Sequence, residues 1–129
     1  MKQIITAAIY LLVVLTASSV KAGEADVLDV EVNKATNGTY TFNVTIFHAD
    51  EGWGHYADAF EIISPDGKVV GQRVLAHPHV NEQPFTRSLG HVVISEKWSF
   101  VTVRARDKVH GQGGKVMQVP LNGRELNPP

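Results

Sequence analysis

Residues 39–48 read as one strand, in which polar and apolar side chains alternate without a break from Thr39 to Ile46. Tyr40, Phe42, Val44 and Ile46 fall on one side, and Thr41, Asn43 and Thr45 on the other. A side-chain period of two is the signature of a strand with one buried face, and no helix can bury such a set together. The same period returns in residues 99–106, where Val101, Val103 and Ala105 oppose Thr102, Arg104 and Arg106. It recurs in residues 26–34, with Leu28, Val30 and Val32 on one face. Residues 56–63, 68–76, 88–94 and 115–121 supply four more apolar runs of strand length, the last with Met117, Val119 and Leu121 aligned. Turn residues separate them, among them Asn37-Gly38 and Ser64-Pro65-Asp66-Gly67. No stretch after residue 23 holds a 3.6-residue period. Seven short strands at near-regular spacing predict an all-β, antiparallel β-sandwich.

The chain start has a different character. Lys2 precedes an apolar or small run from Ile4 to Ala17, and Val20-Lys21-Ala22 offers small residues at the two positions a signal peptidase reads. The expectation is a secretory signal peptide over 1–22, cleaved to start the mature protein near Gly23, a β-sandwich domain over 23–122 and a flexible tail over 123–129. This places the protein in the periplasm or outside the cell, with no membrane segment once the signal is removed. The sequence has no cysteine. That excludes disulfides, thiolate metal sites, cysteine nucleophiles and a lipid anchor on cysteine, so the domain must hold together by packing alone. Beyond residue 22 there are 10 basic and 13 acidic residues. The chain therefore lacks the basic face that nucleic-acid binding needs.

One segment carries a family resemblance. Val101-Thr-Val-Arg-Ala-Arg-Asp107-Lys-Val-His-Gly111-Gln-Gly-Gly114 resembles the sixth strand and following loop of exported immunoglobulin-like and fibronectin-III-like domains. The resemblance implies a seven-stranded immunoglobulin-like sandwich and no particular chemistry, since that fold hosts many functions.

An up-and-down course, with strands two, three and four as successive neighbours and five, six and seven likewise, puts three connections at one end. They carry His48, His55, His77, His79 and His110, five of the six histidines, together with Asp50, Glu51, Asp58, Glu82, Asp107, Trp53 and Tyr56. His91 lies apart within a strand and reads as structural. Neutral imidazole is the common ligand of zinc and copper. With no cysteine and only Met1 and Met117 as thioethers, such a set suits Zn(II) or Cu(II) better than Cu(I). His77-Pro78-His79 sends two imidazoles to one side of an extended segment, and Gly111, Gly113 and Gly114 let the last loop approach closely. The expected metal ligands are His77, His79, His55, His110, His48 and Glu82, holding a copper or zinc ion. Small exported copper-handling proteins of immunoglobulin-like fold are similar in size, export and histidine use.

The same residues admit plainer roles. His48 shares parity with Ile46 and suits a hydrogen-bonded core histidine, Asp50 and Asp107 suit loop caps, and Trp53 and Tyr56 can close the end of a core. Asn37-Gly-Thr39 and Asn43-Val-Thr45 are sequons that matter only in a glycosylating host. There is no HExxH pattern and no nucleophile elbow, so the chain reads as a binding protein rather than an enzyme. The alternative to a metal-binding protein is an interaction or adhesion module of the cell envelope, with the histidine-rich end facing a protein partner.

Overall fold

In the computed structural model, residues 23–121 are described. The expected signal peptide, residues 1–22, and the expected tail, residues 123–129, lie outside them. The described chain is all-β: β1 Asp26–Lys34, β2 Tyr40–Phe47, β3 Ala57–Ile63, β4 Val69–Val74, β5 Phe85–Val92, β6 Phe100–Asp107, β7 Gly111–Gln112 and β8 Met117–Pro120. They form two antiparallel sheets, one ordered β1-β2-β5 and the other β4-β3-β6, where β6 pairs with β7 at its end and with β8 at its start. No helix of the described residues is long and apolar enough to cross a membrane.

The alternating faces read from β2 and β6 are the faces that close the core. Phe42, Val44 and Ile46 are fully buried, as are Val101 and Val103, and with Phe60, Ile62 and Phe85 they form one cluster between the sheets. Burial of this apolar area is what offsets the entropy of ordering a chain without disulfides. β1 departs from its expected parity. A bulge between Val27 and Asp29 inserts a residue. Val27 is therefore fully buried, while Leu28, expected to face the core, is 43% exposed. In β5 a second bulge holds the exposed His91 at φ +57°. β5 begins at Phe85, three residues before its expected start, because Phe85 pairs with Ile46 and fills the core.

The strand neighbours also need correction. β2 does not pair with β3, nor β5 with β6; β2 lies between β1 and β5, and β3 between β4 and β6. The segments 48–56 and 75–84 are too long for hairpin turns and instead carry the chain across the end of the core from one sheet to the other. Strand direction still alternates, so the two crossings and the β6–β7 turn share one end. The register fixes this: Ile46 pairs with Phe85, and Ala57 pairs with Asp107. An eighth strand arises because the Gly111 loop, after its turn, adds two residues to β6.

Gly114 locks the end together. A Cβ there would sit 1.9 Å from the carbonyl oxygen of Ala25. The close approach lets Val27 N–H donate to the Lys115 carbonyl at 2.8 Å and Lys115 N–H to Asp26 Oδ1 at 2.7 Å.

Candidate metal centre

The loop after β2 turns back on itself at once. Gly52 adopts φ +92°, Glu51 N–H donates to the His55 carbonyl at 2.8 Å, and His55 N–H returns to the Gly52 carbonyl at 3.3 Å. This turn brings His55 back beside His48, with their ring centroids 4.7 Å apart. Asp107, the last residue of β6, enters the same space from the opposite sheet. His48, His55 and Asp107 each offer one ligand atom, and the three lie within 4.8 Å of one another. His48 Nε2 faces His55 Nε2 at 3.2 Å, and His55 Nε2 faces Asp107 Oδ1 at 3.0 Å. Donors about 2.0–2.1 Å from a tetrahedral ion stand roughly 3.3 Å apart, so these two separations match an edge of such a site.

The proton count at this point is short. Asp50 Oδ1 lies 2.5 Å from His48 Nδ1, so the ring proton of neutral His48 sits on Nδ1, and Nε2 presents a lone pair. His55 Nε2 then has one hydrogen at most to share between His48 Nε2 and Asp107 Oδ1. Asp107 Oδ2 is buried and takes no hydrogen bond from any described residue. A dication held by the two Nε2 atoms and the Asp107 carboxylate would take up lone pairs that a single proton cannot. Burial by itself raises the Asp107 carboxyl, but the N–H groups of His110 and Val109, at 2.8 and 2.9 Å from Oδ1, outweigh it and bring its pKa below the ordinary aspartate value.

Asp50 ties this cluster to the His-Pro-His segment. Besides His48, its Oδ1 accepts Ala57 N–H at 3.0 Å, and its Oδ2 accepts His79 N–H at 2.6 Å. Gln83 braces the same two segments, accepting His48 N–H at 3.1 Å and donating to the His79 carbonyl at 2.9 Å. His79 itself is buried, stacked on Phe85 with centroids 4.1 Å apart. The Arg87 guanidinium lies 3.0 Å from His79 Nε2. Arginine has only donors, so that nitrogen must accept, and the ring proton is on Nδ1. Burial, with the neighbouring charges of Arg87 and His77, holds the pKa of His79 below the ordinary histidine value.

The six expected ligands therefore divide. His48 and His55 meet, with His110 beside them: its ring centroid is 5.0 Å from that of His55, and its Nδ1 is 3.1 Å from Asp107 Oδ1. His77 and His79 stay together at 4.7 Å but lie on the far side of Asp50, with Glu82 held by Arg87 at 3.1 Å. Those three line an open groove of about 640 Å³, together with Trp53 and Val80. Asp107 and Asp50, which sequence reasoning assigned to loop capping, are central here. Asp107 does cap its turn with one oxygen, and its second oxygen is the part the cap reading left unassigned. The signal available in the sequence was its position, the final residue of an alternating strand at the histidine-rich end.

No family model matches this chain, and no solved structure does. It is 38% identical over 96 residues to a protein of Halomicrobium mukohataei whose description reads "Putative lipoprotein". The match covers 74% of this chain and 47% of that protein, so this chain spans about half of its relative's length.

Proposed function

We propose that this is an exported, envelope-associated metal-binding protein that holds Cu(II) or Zn(II) at His48, His55 and Asp107. One observation carries the reading: two imidazoles of the β2–β3 crossing and the carboxylate that ends β6 converge at the end of the core, and one oxygen of that buried carboxylate is satisfied by no described residue. Two imidazoles and a carboxylate suit the borderline ions Zn(II) and Cu(II). The Asp50–His48 pair is the outer support that metal-bound histidines characteristically have. Export is supported by the apolar start of the chain and by a relative described as a lipoprotein. The strand order supports an immunoglobulin-like type, because β1, β2 and β5 oppose β3, β6 and β8 as the A, B, E and C, F, G strands do in such sandwiches.

The test is a calorimetric titration of the metal-free domain with Cu(II) and with Zn(II). One ion per chain at sub-micromolar strength, lost in His55→Ala, supports the reading; no binding of either ion overturns it. A second reading, an envelope interaction module, is favoured by one feature: Trp53 is 66% exposed beside the His77 groove. It predicts partner capture that Trp53→Ala weakens and metal removal leaves intact.

A further inference from the structure

The donors of this end differ sharply in their freedom. The side chains of His48 and Asp107 have no exposed surface, and that of His55 is 12% exposed. The His110 side chain is 38% exposed. It stands where the buried cluster meets solvent, on the short turn between β6 and β7. Asp107 Oδ1 is its anchor at 3.1 Å. That oxygen also faces the N–H groups of Val109 and His110 and the His55 ring. Four donors compete for one oxygen with two lone pairs. The two backbone bonds are fixed by the turn, and the His55 ring is enclosed. The bond to the His110 side chain is the one most easily given up. Gly111, at φ +68°, follows directly and begins β7, so the backbone is held while the imidazole turns about its own side-chain bonds.

We propose that His110 is the exchangeable fourth ligand of the centre, through which the protein hands its ion to an acceptor offering imidazole donors. The inference rests on the metal reading above. Three enclosed ligands hold the ion, and one accessible ligand can be replaced without opening the core. In the transfer step an acceptor donor atom bonds to the ion as the His110 nitrogen leaves, and His55, His48 and Asp107 are then replaced in turn. Each bond lost is matched by one formed, no electron changes hands, and the freed imidazoles return to their hydrogen bonds with Asp107 and Asp50. A site closed by four buried ligands behaves differently: its ion must dissociate first, at a rate indifferent to the acceptor.

Cu(II) is the probe, since it binds nitrogen and oxygen sites most tightly among the first-row dications and gives a paramagnetic signal. The domain is loaded with one Cu(II) per chain, examined by electron paramagnetic resonance, and mixed with rising concentrations of free histidine. The expected spectrum has three coupled nitrogens in wild type and two in His110→Ala. Transfer should rise in proportion to the histidine concentration and be faster in the variant, whose fourth position is open. His110→Gln, which keeps a polar group on the turn, should match His110→Ala if the imidazole itself is the ligand. Identical spectra for wild type and His110→Ala overturn the ligand assignment, and a transfer rate independent of histidine overturns the exchange. Absence of Cu(II) binding in wild type removes the metal reading and this proposal together, whereas the other two results leave the metal reading standing.

Discussion

Asp50 Oδ1 and His48 Nδ1 lie 2.5 Å apart, both side chains fully enclosed, while the second oxygen of the same carboxylate holds the His79 N–H at 2.6 Å. One residue thereby orients an imidazole toward the candidate centre and fastens the His-Pro-His segment beside it. Such outer partners typically contribute 10- to 100-fold in metal affinity. Asp50→Asn should therefore weaken Cu(II) or Zn(II) binding by about that factor. It should also cost roughly 1–3 kcal/mol in the metal-free protein, because a buried acceptor of three N–H groups is replaced by an amide that must turn a donor toward one of them. Calorimetric titration and urea unfolding of the same preparation check the two effects separately. Unchanged affinity would show that His48 is positioned by the backbone alone.

Metal and fold should be linked, because His48 and His55 come from the β2–β3 crossing and Asp107 from β6, and they meet only when both sheets are assembled. An ion at a hundredfold excess over its dissociation constant stabilises the native state by about 2.7 kcal/mol. For a domain of this size that raises the melting temperature by roughly 10 °C or more. His55→Ala should abolish the rise. His77→Ala, on the far side of Asp50, should keep it. Protons compete with the ion for imidazole, so the rise should shrink as the pH is lowered. Differential scanning calorimetry with and without ion measures all three.

His79 should make the metal-free protein sensitive to acid. Its folded pKa lies below the ordinary value because of burial and the charges of Arg87 and His77. The unfolded chain then binds the proton first, and stability falls as pH drops below about 6.5. The loss continues until the folded form is itself protonated. His79→Gln removes this titration. The difference in unfolding free energy between wild type and His79→Gln, measured in chelator from pH 8 to pH 5, should move against wild type as the pH falls. A constant difference would mean that His79 does not gain its charge more easily on unfolding.

Gly114→Ala should be among the costliest single-methyl changes in the domain. The added Cβ meets the Ala25 carbonyl at 1.9 Å, a backbone group with no freedom to yield. The segments must part, which weakens the Val27–Lys115 bond. Overpacking of this kind costs typically 1–3 kcal/mol. Gly38→Ala provides the contrast: its Cβ meets nothing within 4 Å, and only the strain of φ +85° remains. A smaller loss at Gly114 than at Gly38, seen in chemical denaturation, would contradict the packing described.

The sequence alone determined seven of the eight described strands, the inward faces of β2 and β6 and the gathering of five histidines at one end. Each follows from a local rule: side chains alternate along a strand, turn residues reverse it, and successive reversals return connections to the same end. Tertiary structure decided the rest. Pairing between strands is a contest among distant partners, so nothing local in β2 says that it lies beside β5 rather than β3. The bulge at Val27–Asp29 is likewise set by the partner strand, and it moved Leu28 out of the core. The division of the histidines was set in the same way. His77-Pro78-His79 is the most conspicuous run in the chain, yet Arg87, Phe85 and Asp50, from three other positions, engage His79. Asp107 has no distinguishing neighbour in sequence. It becomes a ligand candidate only because the register of β3 against β6 ends its strand beside His55, and burial then leaves one carboxylate oxygen without a donor among the described residues.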